Sequence, residues 1–162
     1  MRPVEISDEL VGEIRRHARE AYPDECCGFL FARATPGSPD APRTVVGVQR
    51  APNQFEGERR RRFVIRPEEL RAAERATEGT EREVAGFYHS HPDHPARPST
   101  FDEEHAWPWY SYLVVSVSGR DALEVAAFEL EDDTGRFQRV PLRIASPAVA
   151  GVTENLRTSG AR

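Results

Sequence analysis

Residues 82–102 read REVAGFYHSHPDHPARPSTFD, and an alternating apolar run gives way within them to three histidines, two aspartates and three prolines. On an extended strand, side chains two positions apart share a face, so Ala85, Phe87, His89 and His91 are expected on one side of a strand that Pro92 ends. Both imidazoles can then meet one ion. Pro95 and Pro98 stiffen the return segment that delivers Ser99 and Asp102. Two imidazoles and one carboxylate, with a position left open for water, is the ligand count of catalytic zinc and not of a closed structural site. The same set also describes the open triad of non-haem iron oxygenases, which would hold Fe(II). A plainer reading of STFDEE is a helix start with Ser99 as cap and Asp102 completing a box, although Thr100 and Glu103 form an equally good box one residue later. Capping accounts for Ser99 and Asp102 and leaves the paired histidines unexplained.

Around this stretch, SDELVGEIRRHAREAY (7–22) has a capping serine, an acidic first turn, and Leu10, Ile14, Ala18 and Ala21 at helical spacing, with Pro23 as the stop. CCGFLFAR (26–33) and RTVVGVQR (43–50) read as strands joined through the Pro- and Gly-rich TPGSPDAP. RRFVI (61–65) is expected to be another strand, and PEELRAAERATE (67–78) a helix with Pro67 in its first turn, Leu70, Ala73 and Thr77 on one side and Gly79 at its end. STFDEEHAW starts like a short helix. YSYLVVSVS, ALEVAAFELE and GRFQRVPLRI come next as antiparallel strands, the last two joined by a hairpin turn at DDTG. Two main helices among roughly six strands imply an α/β (α+β) chain with a curved mixed sheet flanked by helices. The expected division is one domain over 1–145 and a flexible tail over 146–162.

Composition restricts the setting. The chain has 162 residues, a formal charge of −5 and interspersed charges of both signs, so it lacks the basic footprint of a nucleic-acid binder. No apolar run approaches the length of a membrane span, and the N-terminus lacks the apolar stretch of a signal peptide. Adjacent Cys26 and Cys27 make no disulfide framework and suit a reducing compartment, so a cytoplasmic protein is expected.

The spacing His89, any residue, His91, Pro92, six residues, Ser99, two residues, Asp102 resembles the metal motif of the JAMM (MPN+) zinc metalloproteases. Upstream, YPDECCGFLFA is similar to that family's second hallmark, a Glu shortly before a Cys-Gly pair: here Glu25, then Cys27 and Gly28. The resemblance runs from the first helix to the strand near residue 130. It implies a JAMM/MPN, cytidine deaminase-like architecture, Zn2+ held by His89, His91 and Asp102, Glu25 as the group that activates the attacking water, and Ser99 as a donor to the developing oxyanion. Zinc lowers the pKa of bound water toward about 7, a nearby carboxylate can relay its proton, and a hydroxyl is a suitable oxyanion donor. The implied activity is hydrolysis after the C-terminal Gly-Gly of a ubiquitin-like protein. Stand-alone bacterial members are linked to ubiquitin-like sulfur carriers, some releasing cysteine. A non-catalytic MPN scaffold is disfavoured, because all five motif residues are present. The cytosine and adenine deaminases that also activate water on zinc need a Cys, two residues, Cys pair that this chain lacks.

Other residues draw structural readings. His17 borders the apolar stripe of its helix, His94 is expected in solvent, and His105 on a helix surface. Cys26 and Cys27 point to opposite strand faces, and Cys27 reads as a small buried hydrophobe. The arginines of ERRRRF read as a solvated edge, and Trp107 and Trp109 as packed against the sheet.

Overall fold

The computed structural model describes residues 1–35, 38–119 and 121–146, so nearly all of the tail expected at 146–162 lies outside the described residues. In chain order the elements are β1 (Val4–Ser7), α1 (Asp8–Ala21), β2 (Cys27–Arg33), β3 (Arg43–Ala51), α2 (Pro67–Thr77), β4 (Arg82–Pro92), α3 (Thr100–His105), β5 (Ser111–Ser118), β6 (Asp121–Glu131), β7 (Arg136–Val140) and β8 (Leu142–Ala145). The strands form one mixed sheet in the order β7-β6-β5-β4-β2-β3-β1-β8. β7 and β8 are separated in the chain by Pro141 alone and yet occupy opposite ends of that order. Such neighbours can terminate opposite ends only if the sheet curls until its edges meet. The fold is therefore mixed α+β with a curved sheet flanked by helices, as the sequence implied, and the structure adds that the sheet is nearly closed.

Several details depart from the sequence expectations. GRFQRVPLRI is two strands, because Pro141 has no N–H to continue a ladder; β7 pairs with β6, and β8 crosses to lie parallel to β1. β1 itself is an addition to the expected elements, although Val4 and Ile6 alternate into the core. RRFVI forms no strand. Its Val64 N–H donates to the Asn53 side chain at 3.2 Å and so does not enter a sheet ladder. A register shift in the β2–β4 ladder, between Leu30 opposite Gly86 and Phe31 opposite Val84, turns Ala85 to the other face from Phe87, His89 and His91. Trp107 packs against Phe87, whereas Trp109 is 74% exposed.

Each sheet face has its own core. Val11, Ile14 and Ala18 of α1 pack with Leu30, Tyr88, Leu113 and Val115 on one face. Fully burying a side chain such as Ile14 contributes about 1.5–3 kcal/mol, and Ser7 caps this helix by accepting from Leu10 N–H at 3.2 Å. On the other face, Ala73 of α2 packs with Cys27, Phe29, Phe87 and Val114, so Cys26 and Cys27 do point into different cores. Gly28 lies opposite Tyr88, whose ring carbons would be 2.2–2.4 Å from a Cβ at that position. The missing side chain lets the Tyr88 ring cross the strand and reach His17 Nδ1 at 2.8 Å. No helix among the described residues is long and apolar enough to cross a membrane.

Candidate metal centre and active site

Antiparallel pairing sets the distance between the two motifs. Cys27 stands opposite His89 and Gly28 opposite Tyr88. Continued two residues beyond the end of β2, that register brings Glu25 opposite His91 and on the same face. One backbone and one side-chain hydrogen bond extend the pairing, since Ser90 N–H donates to Cys26 O at 3.0 Å and Cys26 N–H donates to Ser90 Oγ at 2.8 Å. The result is a separation of 4.0 Å between Glu25 Oε1 and His91 Nε2.

The third motif residue arrives through the α3 cap. Asp102 N–H donates to Ser99 Oγ at 3.1 Å, and Ser99 N–H donates to Asp102 Oδ2 at 2.7 Å, a reciprocal capping box. The alternative box through Thr100 and Glu103 does not form; Glu103 Oε1 instead accepts from Phe137 N–H at 3.1 Å. Capping and clustering are thus one arrangement, because the oxygen that accepts from Ser99 also faces both histidines. Asp102 Oδ2 lies 3.2 Å from His91 Nε2 and 3.3 Å from His89 Nε2, and the two nitrogens are 3.0 Å apart.

These three atoms suit a small cation. A tetrahedron with metal–ligand bonds of about 2.0–2.1 Å has edges of about 3.3 Å, close to the observed triangle. His91 Nδ1 lies 3.2 Å from Pro95 O, a contact that assigns its proton to Nδ1 and leaves the Nε2 lone pair facing the triangle. His89 is 1% exposed and stacks at 4.5 Å on Phe63, which holds its ring in place. Burial lowers the His89 pKa and favours its neutral, ligating form. For Asp102 burial alone would raise the pKa, but His89, His91 and the Ser99 N–H more than offset it and hold the carboxyl well below the usual carboxylate range. Glu25, 4% exposed, is pushed up to about 9 by burial and then by the Asp102 charge. Its Oε2 has no hydrogen-bond partner among the described residues. A divalent cation beside it would supply the missing opposite charge. The donor set and the unpartnered carboxylate oxygen both fit a metal such as zinc with an adjacent water.

All five motif residues therefore lie in one region, with Glu25, His91 and Ser99 also sharing the wall of a cavity of about 390 Å3. A second cavity of about 390 Å3 lies beside His89 and Asp102, walled by Phe63, Phe87, Phe101, Trp107 and Tyr112. His105 stays outside the cluster; its Nδ1 is 2.9 Å from Phe101 O and its ring stacks on Phe101. Two contributors escaped the sequence reading. Asn53 Nδ2 donates to Glu25 O at 3.1 Å and to Arg62 O at 2.9 Å, tying the Glu25 backbone to residues 62–64. Phe63 is the other, through its stacking on His89. An asparagine in an irregular stretch and a phenylalanine in an apolar one carry no spacing signal that would have revealed either.

The profile of the prokaryotic homologues of the JAB domain matches residues 7–131. A desampylase from Haloferax volcanii is 37% identical over 114 residues, covering 70% of this chain and 77% of that one. Among solved structures, a Desulfitobacterium hafniense protein superposes with a TM-score of 0.73 at 26% identity, covering 89% of this chain and 94% of the other. A Salinibacter ruber protein gives 0.64 at 35% identity, covering 89% and 93%. The residues matched by the family profile include every residue of the candidate centre. The chain belongs to the prokaryotic homologues of the JAB domain and is a JAMM-type hydrolase.

Proposed function

We propose that the chain is a zinc-dependent isopeptidase or peptidase that hydrolyses the amide bond after the C-terminal Gly-Gly of a ubiquitin-like sulfur-carrier protein, with cysteine among the groups it releases. The observation that carries the proposal is the triangle of His89 Nε2, His91 Nε2 and Asp102 Oδ2 with the Glu25 carboxylate 4.0 Å from one corner. The desampylase relative supports the substrate class. Bound zinc would supply a Lewis acid and lower the pKa of a coordinated water toward about 7.

The remaining roles belong to the chain itself. Glu25 takes a proton from the attacking water and gives it to the leaving amine, so its position beside the cluster, fixed by the β2–β4 register, is the catalytic geometry. Ser99 accepts from Asp102 N–H through a lone pair, which leaves its hydroxyl hydrogen free to donate to the carbonyl oxygen as charge develops. The aromatic residues beside His89 form an apolar wall along which an extended tail without side chains can lie on the acyl side.

The test is to incubate zinc-loaded protein with carrier conjugates ending in Gly-Gly-cysteine and in Gly-Gly joined to a lysine, and to identify products by mass. Release of carrier ending in Gly-Gly is expected. Intact conjugates in both reactions would refute the proposed substrate class.

A further inference from the structure

The cavity shared by Glu25 and Ser99 has an unusual outer wall. Arg61, His94 and Arg97 line it, in a chain whose formal charge is −5. Two neighbouring arginines are engaged: Arg62 lies over the Phe101 ring at 4.8 Å, and Arg59 Nε donates to Phe55 O at 3.0 Å. Arg61 and Arg97 differ, because among the described residues neither guanidinium has a carbonyl, ring or carboxylate partner. Among the described residues, Glu25 is the one carboxylate lining this cavity. Two exposed guanidiniums facing a small cavity, with the proton-transferring group at its inner end, match an anionic ligand that enters from outside.

The chemistry of the proposed hydrolysis identifies that anion, and the inference rests on the proposed function. Water oxygen bonds to the glycine carbonyl carbon, the C–N bond breaks, and the proton taken by Glu25 goes to the departing nitrogen. That nitrogen must therefore lie next to Glu25, in this cavity. When the leaving group is a free amino acid, its α-carboxylate is two bonds from the same nitrogen and comes to lie a few ångströms further out. There it would be repelled by Glu25 and Asp102 unless cations faced it from the other side. We infer that Arg61 and Arg97 bind the α-carboxylate of the leaving residue, so that the enzyme selects conjugates whose released group is a carboxyl-terminal amino acid over those in which Gly-Gly is joined to a lysine side chain within a protein.

Three conjugates of one ubiquitin-like carrier test this: carrier-Gly-Gly-cysteine with a free carboxylate, the same conjugate as its C-terminal amide, and carrier-Gly-Gly on the ε-amine of a lysine in a peptide with blocked ends. The free acid is expected to be cleaved with a kcat/KM about 10- to 100-fold above the other two, mostly through KM, as for the loss of a charge-assisted pair. Arg61→Gln and Arg97→Gln should each reduce that preference, and the double variant should remove it while leaving turnover of the amide unchanged. Calorimetric titration of Glu25→Gln with the acid and amide conjugates should show the same preference without turnover. Equal cleavage of acid and amide by the unaltered protein, or variants that slow both alike, would overturn the inference and leave the proposed function standing. Cleavage of none of the three would overturn both.

Discussion

Ser99 has one role in this structure and a second in the proposed reaction, and they can be separated. Its oxygen caps α3 by accepting from Asp102 N–H at 3.1 Å, and its hydroxyl hydrogen is assigned to the oxyanion. Replacing a capping serine by alanine costs about 1 kcal/mol, whereas replacing it by glycine costs a few tenths. For a domain of this size about 1 kcal/mol corresponds to roughly 2–4 °C in Tm. Loss of one oxyanion donor lowers kcat by about 10²- to 10³-fold. Ser99→Ala should therefore lower Tm by about 2–4 °C, Ser99→Gly by about 1 °C or less, and both should lose kcat by the same large factor. Differential scanning calorimetry and turnover of the Gly-Gly-cysteine conjugate at saturating substrate read the two effects. A kcat within about threefold of the unaltered enzyme in either variant would refute the oxyanion role. A kcat that tracks Tm across the pair would show that Ser99 acts only through the helix.

Other expectations are as direct. Glu25→Gln should keep one zinc per chain and lose hydrolysis, whereas His89→Ala should lose both, as read by metal analysis and product formation; normal turnover by Glu25→Gln would remove Glu25 from the mechanism. Asn53→Ala cuts the tie between Glu25 O and Arg62 O, so kcat should fall about tenfold through misplacement while zinc content is unchanged. His17, held to about 4 by burial and then by the Arg50 charge, is neutral in the folded chain over a range where an unfolded histidine binds a proton. Stability should accordingly fall as pH drops from 6.5 toward 4, by about 1 kcal/mol once its partial exposure is allowed for. Urea titrations should show that part of the loss missing in His17→Gln, and an identical pH dependence would refute it. Gly28→Ala places a methyl group against Tyr88 and Gln49 O, and a loss of about 1–3 kcal/mol is expected in the same assay.

The centre was more legible in the sequence than the sheet around it. His-X-His on one strand needs only the two-residue period, which holds from Phe87 to His91 because the ladders beside those residues are regular. Helix α1 carries its cap, its acidic first turn and its apolar stripe in contiguous residues, all local signals. What escaped depends on partners far away in the chain. RRFVI has the composition of a strand, but Asn53 takes the Val64 N–H and leaves the segment beside the candidate metal centre and outside the ladder. GRFQRVPLRI reads as one strand until the sheet curls and Pro141 becomes the point where one edge ends and the other begins. Ala85 fits the face of Phe87 by simple alternation, and only the shifted register opposite Leu30 and Phe31 turns it away. Cap and ligand look like competing explanations of Asp102, because a sequence cannot show that a single carboxylate oxygen accepts from Ser99 N–H while facing two imidazoles.

An anomalous-difference map at the zinc edge, from crystals of zinc-loaded protein, reads the ligand set itself. One strong peak is expected at about 2.0–2.1 Å from His89 Nε2, His91 Nε2 and Asp102 Oδ2, with a solvent molecule as fourth neighbour within hydrogen-bond reach of the Glu25 carboxylate. A peak bound by other residues, or one whose fourth ligand is Glu25 itself, would contradict the assignment of metal and base.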